Sequence, residues 1–209
     1  MTAELTQVIQ DEAQLREVIG HPAERNIRKV IPVLDEHCRA FIERSPFMLL
    51  GSSAPETSID ISPKGDPAGF VQVLDETTLA IPDRPGNRRV DSLSNILRDP
   101  RVGLLFMIPG KRETLRIRGT ARIVRDEWLL RRMAARGKTP ALAIVVHVEE
   151  AFMHCAKCLI RSRLWEREEW PDLEGLAPLA RVLVDHASLS CTVEEMQDVI
   201  DDSYRTKLY

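Results

Sequence analysis

Residues 114–124 read Thr114-Leu115-Arg116-Ile117-Arg118-Gly119-Thr120-Ala121-Arg122-Ile123-Val124. Leu115, Ile117, Gly119, Ala121 and Ile123 alternate with Arg116, Arg118, Thr120 and Arg122. Successive side chains of a strand point to opposite faces, so this pattern predicts a strand with one face in a core and one in water. Residues 102–108 just upstream are nearly all apolar and run into a Pro109-Gly110 turn, which predicts a second strand folded back on the first. Residues 141–148 are rich in β-branched side chains and predict a third. Further upstream, residues 47–50, 58–61, 70–74 and 77–81 read as short strands. They are separated by Ser52-Ser53-Ala54-Pro55-Glu56, by the turn cluster Pro63-Lys64-Gly65-Asp66-Pro67, and by Asp75-Glu76. Short strands with tight connections predict antiparallel pairing, hence a sandwich or a barrel.

Helices are predicted around this centre. Val90, Leu93, Ile96 and Leu97 recur at helical spacing and Pro100 ends the pattern; residues 127–136 form a shorter helix closed by Gly137. Residues 4–45 read as helical, broken at Gly20-His21-Pro22 and again at Pro32. Residues 176–184 and 193–200 carry the apolar stripes of a helical C-terminal part. The expected organisation is a helical segment 1–45, a barrel domain 46–165 and a helical extension 166–209 packing on the barrel or on a dimer.

The chain has 209 residues, 44% hydrophobic and 29% charged, which excludes a disordered chain and leaves material for a core. No run reaches the length of apolar residues that spans a bilayer. The acidic N-terminus has no apolar stretch of the kind a signal peptide carries, so a cytoplasmic protein is expected. The formal net charge is −3, but it is unevenly spread. Residues 1–60 carry −4, residues 61–165 carry +8 and residues 166–209 carry −7. A basic centre between acidic ends points to an anion handled in the middle. An aromatic content of 5% argues against a stacking platform for single-stranded nucleic acid.

The segment Pro82-Asp83-Arg84-Pro85-Gly86-Asn87-Arg88-Arg89-Val90-Asp91-Ser92 joins a strand to a helix. Arginines fork onto phosphate oxygens, and the first turn of a helix presents N–H groups to an anion. A solvated loop with a capped helix fits the same spacing equally well. Cys155-Ala156-Lys157-Cys158 follows His154, but no second Cys/His pair stands at zinc-site spacing, so structural cysteines and no metal are expected. His37, His147, His154 and His186 fall in no catalytic arrangement, and no phosphate-binding glycine pattern is present.

Taken in order, Ser62-Pro63-Lys64-Gly65-Asp66, Gly69-Phe70-Val71, residues 81–93 and Phe152-Met153-His154-Cys155-Ala156-Lys157 with Arg161-Ser162-Arg163-Leu164-Trp165 resemble the pyridoxamine 5'-phosphate oxidase-like FMN-binding split-barrel family, and within it bacterial FMN-dependent enzymes of that class. The resemblance covers residues 45–165. It implies a mainly β fold with flanking helices, a six-stranded antiparallel split β-barrel, and a homodimer with FMN at the subunit interface. It implies that Arg88 and Arg89 grip the phosphate. Around them, Lys64, Pro82, Asp83, Arg84, Asn87 and Ser92 line the cofactor, and Gly69, Phe70 and Val71 lie on the strand beside the ring. Glu113 and Thr114 reach the cofactor from the next hairpin, and Lys157, Ser162 and Trp165 come from the partner chain. The vitamin B6 oxidases of the family carry a basic residue near position 72, a glutamine near 114 and an alanine at 158; this chain has Gln72, Thr114 and Cys158. The implied function is an FMN-dependent oxidoreductase acting on a small molecule, with NAD(P)H as a candidate donor and no membrane or nucleic-acid partner. The alternative is a non-catalytic FMN-binding protein, a flavin store or redox sensor. Lys64, His154 and Lys157 are the candidate proton-transfer groups, and no catalytic residue is assigned.

Overall fold

The computed structural model describes residues 5–55 and 59–209. Glu56 of the expected turn and Ser58 at the start of an expected strand lie outside the described residues. The strands are β1 (Phe47–Ser52), β2 (Asp60–Gly65), β3 (Gln72–Val73), β4 (Thr78–Pro82), β5 (Arg101–Met107), β6 (Thr114–Val124) and β7 (Ala143–His154). They form one antiparallel sheet in the order β2-β1-β5-β6-β7-β4-β3. The six-stranded split barrel is therefore corrected to a seven-stranded sheet that does not close, with β2 and β3 as its edges.

Two strands depart from their expected bounds. Residues 63–65, expected in a turn, continue β2 in register with residues 47–49 of β1. Pro63 is tolerated there because β2 is an edge strand and needs no outward N–H. Conversely, the expected strand 70–74 shrinks to the two residues of β3. Gly69 takes φ +86, the Phe70 N–H bonds to the Pro67 carbonyl, and Phe70 and Val71 drop into the core instead of pairing.

The strand that decides the fold spans residues 114–124 as read. Leu115, Ile117, Gly119 and Ala121 are buried while Arg116, Arg118 and Arg122 are exposed. A bulge at Arg118/Gly119 sets one residue of β6 against an extra residue of β7, which runs on to His154 rather than stopping at Val148. The bulge is why position 119 is a glycine: a Cβ there would lie 1.9 Å from the His147 carbonyl oxygen.

Side chains from β1, β4, β5, β6 and β7 meet in a single core that includes Met48, Leu50, Ile81, Phe106, Ile117 and Ile144. Strands far apart in the sheet order share this interior, so the sheet curls around it. The helices are α1 (Glu12–Ile19), α2 (Glu24–Arg28), α3 (Glu36–Arg44), α4 (Asp91–Arg98), α5 (Glu127–Arg132), α6 (Lys157–Ser162), α7 (Leu179–His186) and α8 (Val193–Thr206). From α3, Cys38, Phe41 and Ile42 enter the main core together with Leu34, whereas α1 and α2 bury nothing. On the opposite face of the sheet, Ala80 and Ala143 are small enough to let α5 pack Leu129, Leu130 and Met133 against β4 and β7. The helix α5 stops at Arg132, short of the expected 136, because Arg136 and Gly137 both take positive φ in a tight reversal bridged by Ala135 and Lys138. Among the described residues no helix is long and apolar enough to cross a membrane.

Candidate functional site

Alternation along β2 turns Asp60, Ser62 and Lys64 to one side, half-buried, while Ile61, Pro63 and Gly65 are exposed. Across from this face runs the loop from β4 to α4. Together they line a cavity of about 710 Å3 whose walls include Lys64, Phe70, Pro82, Asp83, Arg88 and Arg89. The cavity thus lies between the β2 edge and the strand beside the β3 edge, where the curled sheet stays open.

Two polar contacts tie its walls together. The Ser92 hydroxyl, on the first turn of α4, donates to the Asp60 carboxylate on β2. Arg84 donates from Nε to Asp66 Oδ2 at 2.6 Å and from Nη2 to the Met133 carbonyl at 2.9 Å. The side chains of Asp66 and Arg84 are only 1% and 16% exposed, so this is a buried ion pair. Tyr209 completes it. Its hydroxyl donates to Asp66 Oδ1 at 2.5 Å and its ring lies 5.7 Å from the Arg84 guanidinium and 5.0 Å from that of Arg136. Lys138 Nζ donates to the Tyr209 carbonyl oxygen at 2.5 Å. The hydrogen bond to Asp66 and partial burial push the Tyr209 phenol above its ordinary value, so it remains the donor. A smaller cavity of about 320 Å3 lies behind the shared wall of Asp83, Arg84 and Pro85.

The loop itself is shaped by its own side chains. Asn87 Oδ1 accepts the Arg89 N–H at 2.9 Å, an Asx turn. Arg88 takes φ +62, a left-handed conformation uncommon outside glycine. The chain then enters α4 at Val90 with no side-chain cap on the first turn. Arg88 and Arg89 are exposed at the cavity lip, and Arg89 Nε lies 2.8 Å from Asp91 Oδ2. Burial pushes the Asp83 carboxyl above the usual carboxylate range, against the opposing pull of the Lys64 charge. What this arrangement offers chemically is a pocket with exposed cations and an uncapped helix start on one rim, and a carboxyl and an ammonium group inside.

Of the residues expected at the site, Lys64, Phe70, Pro82, Asp83, Arg84, Asn87, Arg88, Arg89 and Ser92 line this cavity. Arg84 and Ser92 do so with their polar ends committed to Asp66 and Asp60. Gly69 and Val71 lie just behind Phe70, Val71 in the core and the Gly69 carbonyl accepting from Gln72 Nε2 at 2.7 Å. Glu113, Thr114, Lys157, Ser162 and Trp165 are not brought to it. They gather at the β5–β6 hairpin and α6, where Trp165 Nε1 donates to the Lys111 carbonyl at 2.8 Å and Thr114 pairs with His154. Lys111 draws the Glu113 carboxyl below its ordinary value from 3.0 Å. Cys155 and Cys158, expected as structural cysteines, are both free and exposed, because the strand ends at His154 and α6 begins beyond it at the surface.

A family model described as pyridoxamine 5'-phosphate oxidase matches residues 34–155, from the first core residue before α3 to the end of β7. The chain belongs to this family. The matched span holds the whole sheet, the cavity and both wall contacts between Asp60, Asp66, Arg84 and Ser92, so the family assignment covers the cavity walls. Solved structures similar to this chain include HupZ from Group A Streptococcus, at 16% identity over 57% of this chain and 92% of that one, with a TM-score of 0.46. An FMN-binding protein from Syntrophomonas wolfei aligns at 10% identity over 69% and 96%, TM-score 0.43. General Stress Protein 26 from Bacillus anthracis aligns at 15% over 55% and 88%, TM-score 0.40. No curated protein matches the chain.

Sequence reading missed Asp60 and Tyr209. Asp60 was findable: had β2 been extended through Gly65, its period of two would have aligned Asp60 with Ser62 and Lys64. Nothing local marks Tyr209, which reaches Asp66 from 143 residues away.

Proposed function

We propose that this protein is an FMN-dependent oxidoreductase acting on a small molecule, with the flavin held in the cavity between β2 and the β4–α4 loop. The observation that carries the reading is the convergence of Lys64, Arg88, Arg89 and the uncapped start of α4 on one cavity. A volume of about 710 Å3 suits a cofactor of this size, and the cationic rim suits its phosphate. Bound there, FMN would supply hydride or electron transfer.

The residues around it have separable tasks. Arg88 and Arg89 replace water on the phosphate, while Asn87 holds the loop that presents them. Phe70 and Pro82 give an apolar wall that excludes water. Asp83, whose burial favours the protonated form, and Lys64 beside it are the groups able to hold or pass a proton inside the cavity. Glu113, Thr114, Lys157, Ser162 and Trp165 lie away from the cavity of their own chain. This supports a homodimer in which they face the cavity of the other subunit; light scattering that shows a monomer with FMN bound would remove that part.

The test is flavin titration of the apo protein. Hydrogen bonds to a charged group contribute roughly 1.5–3 kcal/mol each. Losing two of them in an Arg88→Ala, Arg89→Ala variant is expected to weaken FMN about a hundredfold or more. Riboflavin, which lacks the phosphate, is expected to bind both proteins alike. Unchanged FMN affinity, or equal losses for the two flavins, puts the phosphate elsewhere. Reduction of the bound flavin by NADH or NADPH with turnover to an acceptor separates an enzyme from a flavin store.

A further inference from the structure

Cys155 and Cys158 are absorbed by neither the core nor the cavity. Both are free and exposed. Cys155 directly follows the last residue of β7, and Cys158 is the second residue of α6. Between them Ala156 has φ −73 and ψ −8, and Lys157 is helical. Two helical residues in succession close a turn whose outer Cα atoms lie within about 7 Å. A disulfide spans Cα separations of about 4.4–6.8 Å. The two cysteines therefore sit one turn apart in the backbone, between a strand end and a helix start.

The other two cysteines differ. Cys38 is 3% exposed in the core, and burial pushes its thiol up to about 12, so it is inert. Cys191 is half-buried and far away in sequence. Among the described residues no three His, Cys, Asp or Glu side chains converge on a metal-sized site. His154 and Arg161 flank the pair and favour approach of an anionic partner.

We propose that Cys155 and Cys158 form a reversible dithiol–disulfide site that exchanges with small anionic disulfides of the glutathione type. One thiolate attacks a sulfur of the oxidised partner, whose S–S bond breaks and releases one thiolate. The second cysteine then attacks the protein-side sulfur of the mixed disulfide and expels the other. Two protein thiols are oxidised, one partner disulfide is reduced to two thiols, and the two protons pass to the leaving groups. Because the second attack is intramolecular over one turn, the mixed disulfide does not accumulate.

The experiment uses the full chain equilibrated with oxidised and reduced glutathione, acid-quenched, then alkylated unfolded and weighed intact. Oxidation is expected to take alkylatable thiols from four to two, with a mass lower by two hydrogens and the bridge mapped to the peptide carrying Cys155 and Cys158. A Cys38→Ser, Cys191→Ser variant is expected to keep the whole transition. A Cys158→Ser variant is expected to stop at the mixed glutathione adduct. Four alkylatable thiols after oxidation, wild-type protein that stops at glutathione adducts, or disulfides between chains would each overturn the proposal.

Discussion

Removing Arg84 tests whether the wall of the cavity is held by a buried ion pair. The Asp66 carboxylate is 1% exposed, and its two oxygens are met by Arg84 Nε at 2.6 Å and by the Tyr209 hydroxyl at 2.5 Å. In Arg84→Ala the carboxylate keeps one neutral donor and loses the only cation within hydrogen-bonding reach among the described residues. Leaving one member of a buried pair without the other costs about 3–5 kcal/mol. For a chain of this size each kcal/mol lowers Tm by about 2–4 °C, so a fall of roughly 6–20 °C is expected. Asp66→Ala should cost a similar amount, since it strands the guanidinium. The double variant should cost clearly less than the sum, because it leaves no lone buried charge. Urea unfolding of the four proteins without flavin gives the cycle. Single variants within about 1 kcal/mol of wild type, or a strictly additive double variant, would show that Arg84 and Asp66 are solvated rather than paired and would refute the reasoning.

Gly119→Ala would set a Cβ 1.9 Å from the His147 carbonyl oxygen and is expected to lower stability by about 3 kcal/mol or more. Gly103→Ala on β5 meets nothing within 4 Å and should stay within about 1 kcal/mol, so equal melting temperatures for the two would refute the bulge argument. Hydrogen bonds from the Arg101 side chain and backbone hold the Asp99 carboxyl down at about 2, against an ordinary 3.8. Between those values the unfolded chain binds more protons, so the stability Asp99 contributes is present above pH about 4 and is lost as pH falls toward 2. Thermal melts should therefore show the gap between wild type and Asp99→Asn closing over that interval, and a gap independent of pH would refute the pairing.

Residues 114–124 carried their strand, its faces and its ends in their own alternation, because a period of two is local information. The same holds for α4, marked by Val90, Leu93, Ile96, Leu97 and Pro100, and for the strand–loop–helix order that places Arg88 and Arg89 at a helix start. Order along the chain was also enough to recognise the family. Other features were settled only by packing. Pro63 reads as a turn residue until β2 is known to be an edge strand, and Phe70 and Val71 read as strand until the core claims them. The bulge that makes Gly119 obligatory depends on the neighbouring strand. Arg84 and Arg89 look alike in the sequence, yet Arg84 is turned inward by Asp66 and Tyr209 while Arg89 stays at the lip. The exposure of Cys155 and Cys158 is known only once β7 is seen to end one residue before the first of them. The split of the expected site into a cavity group and an α6 group is likewise a property of the folded chain, because how far apart two motifs end up is set by the curl of the sheet between them, which no local pattern encodes.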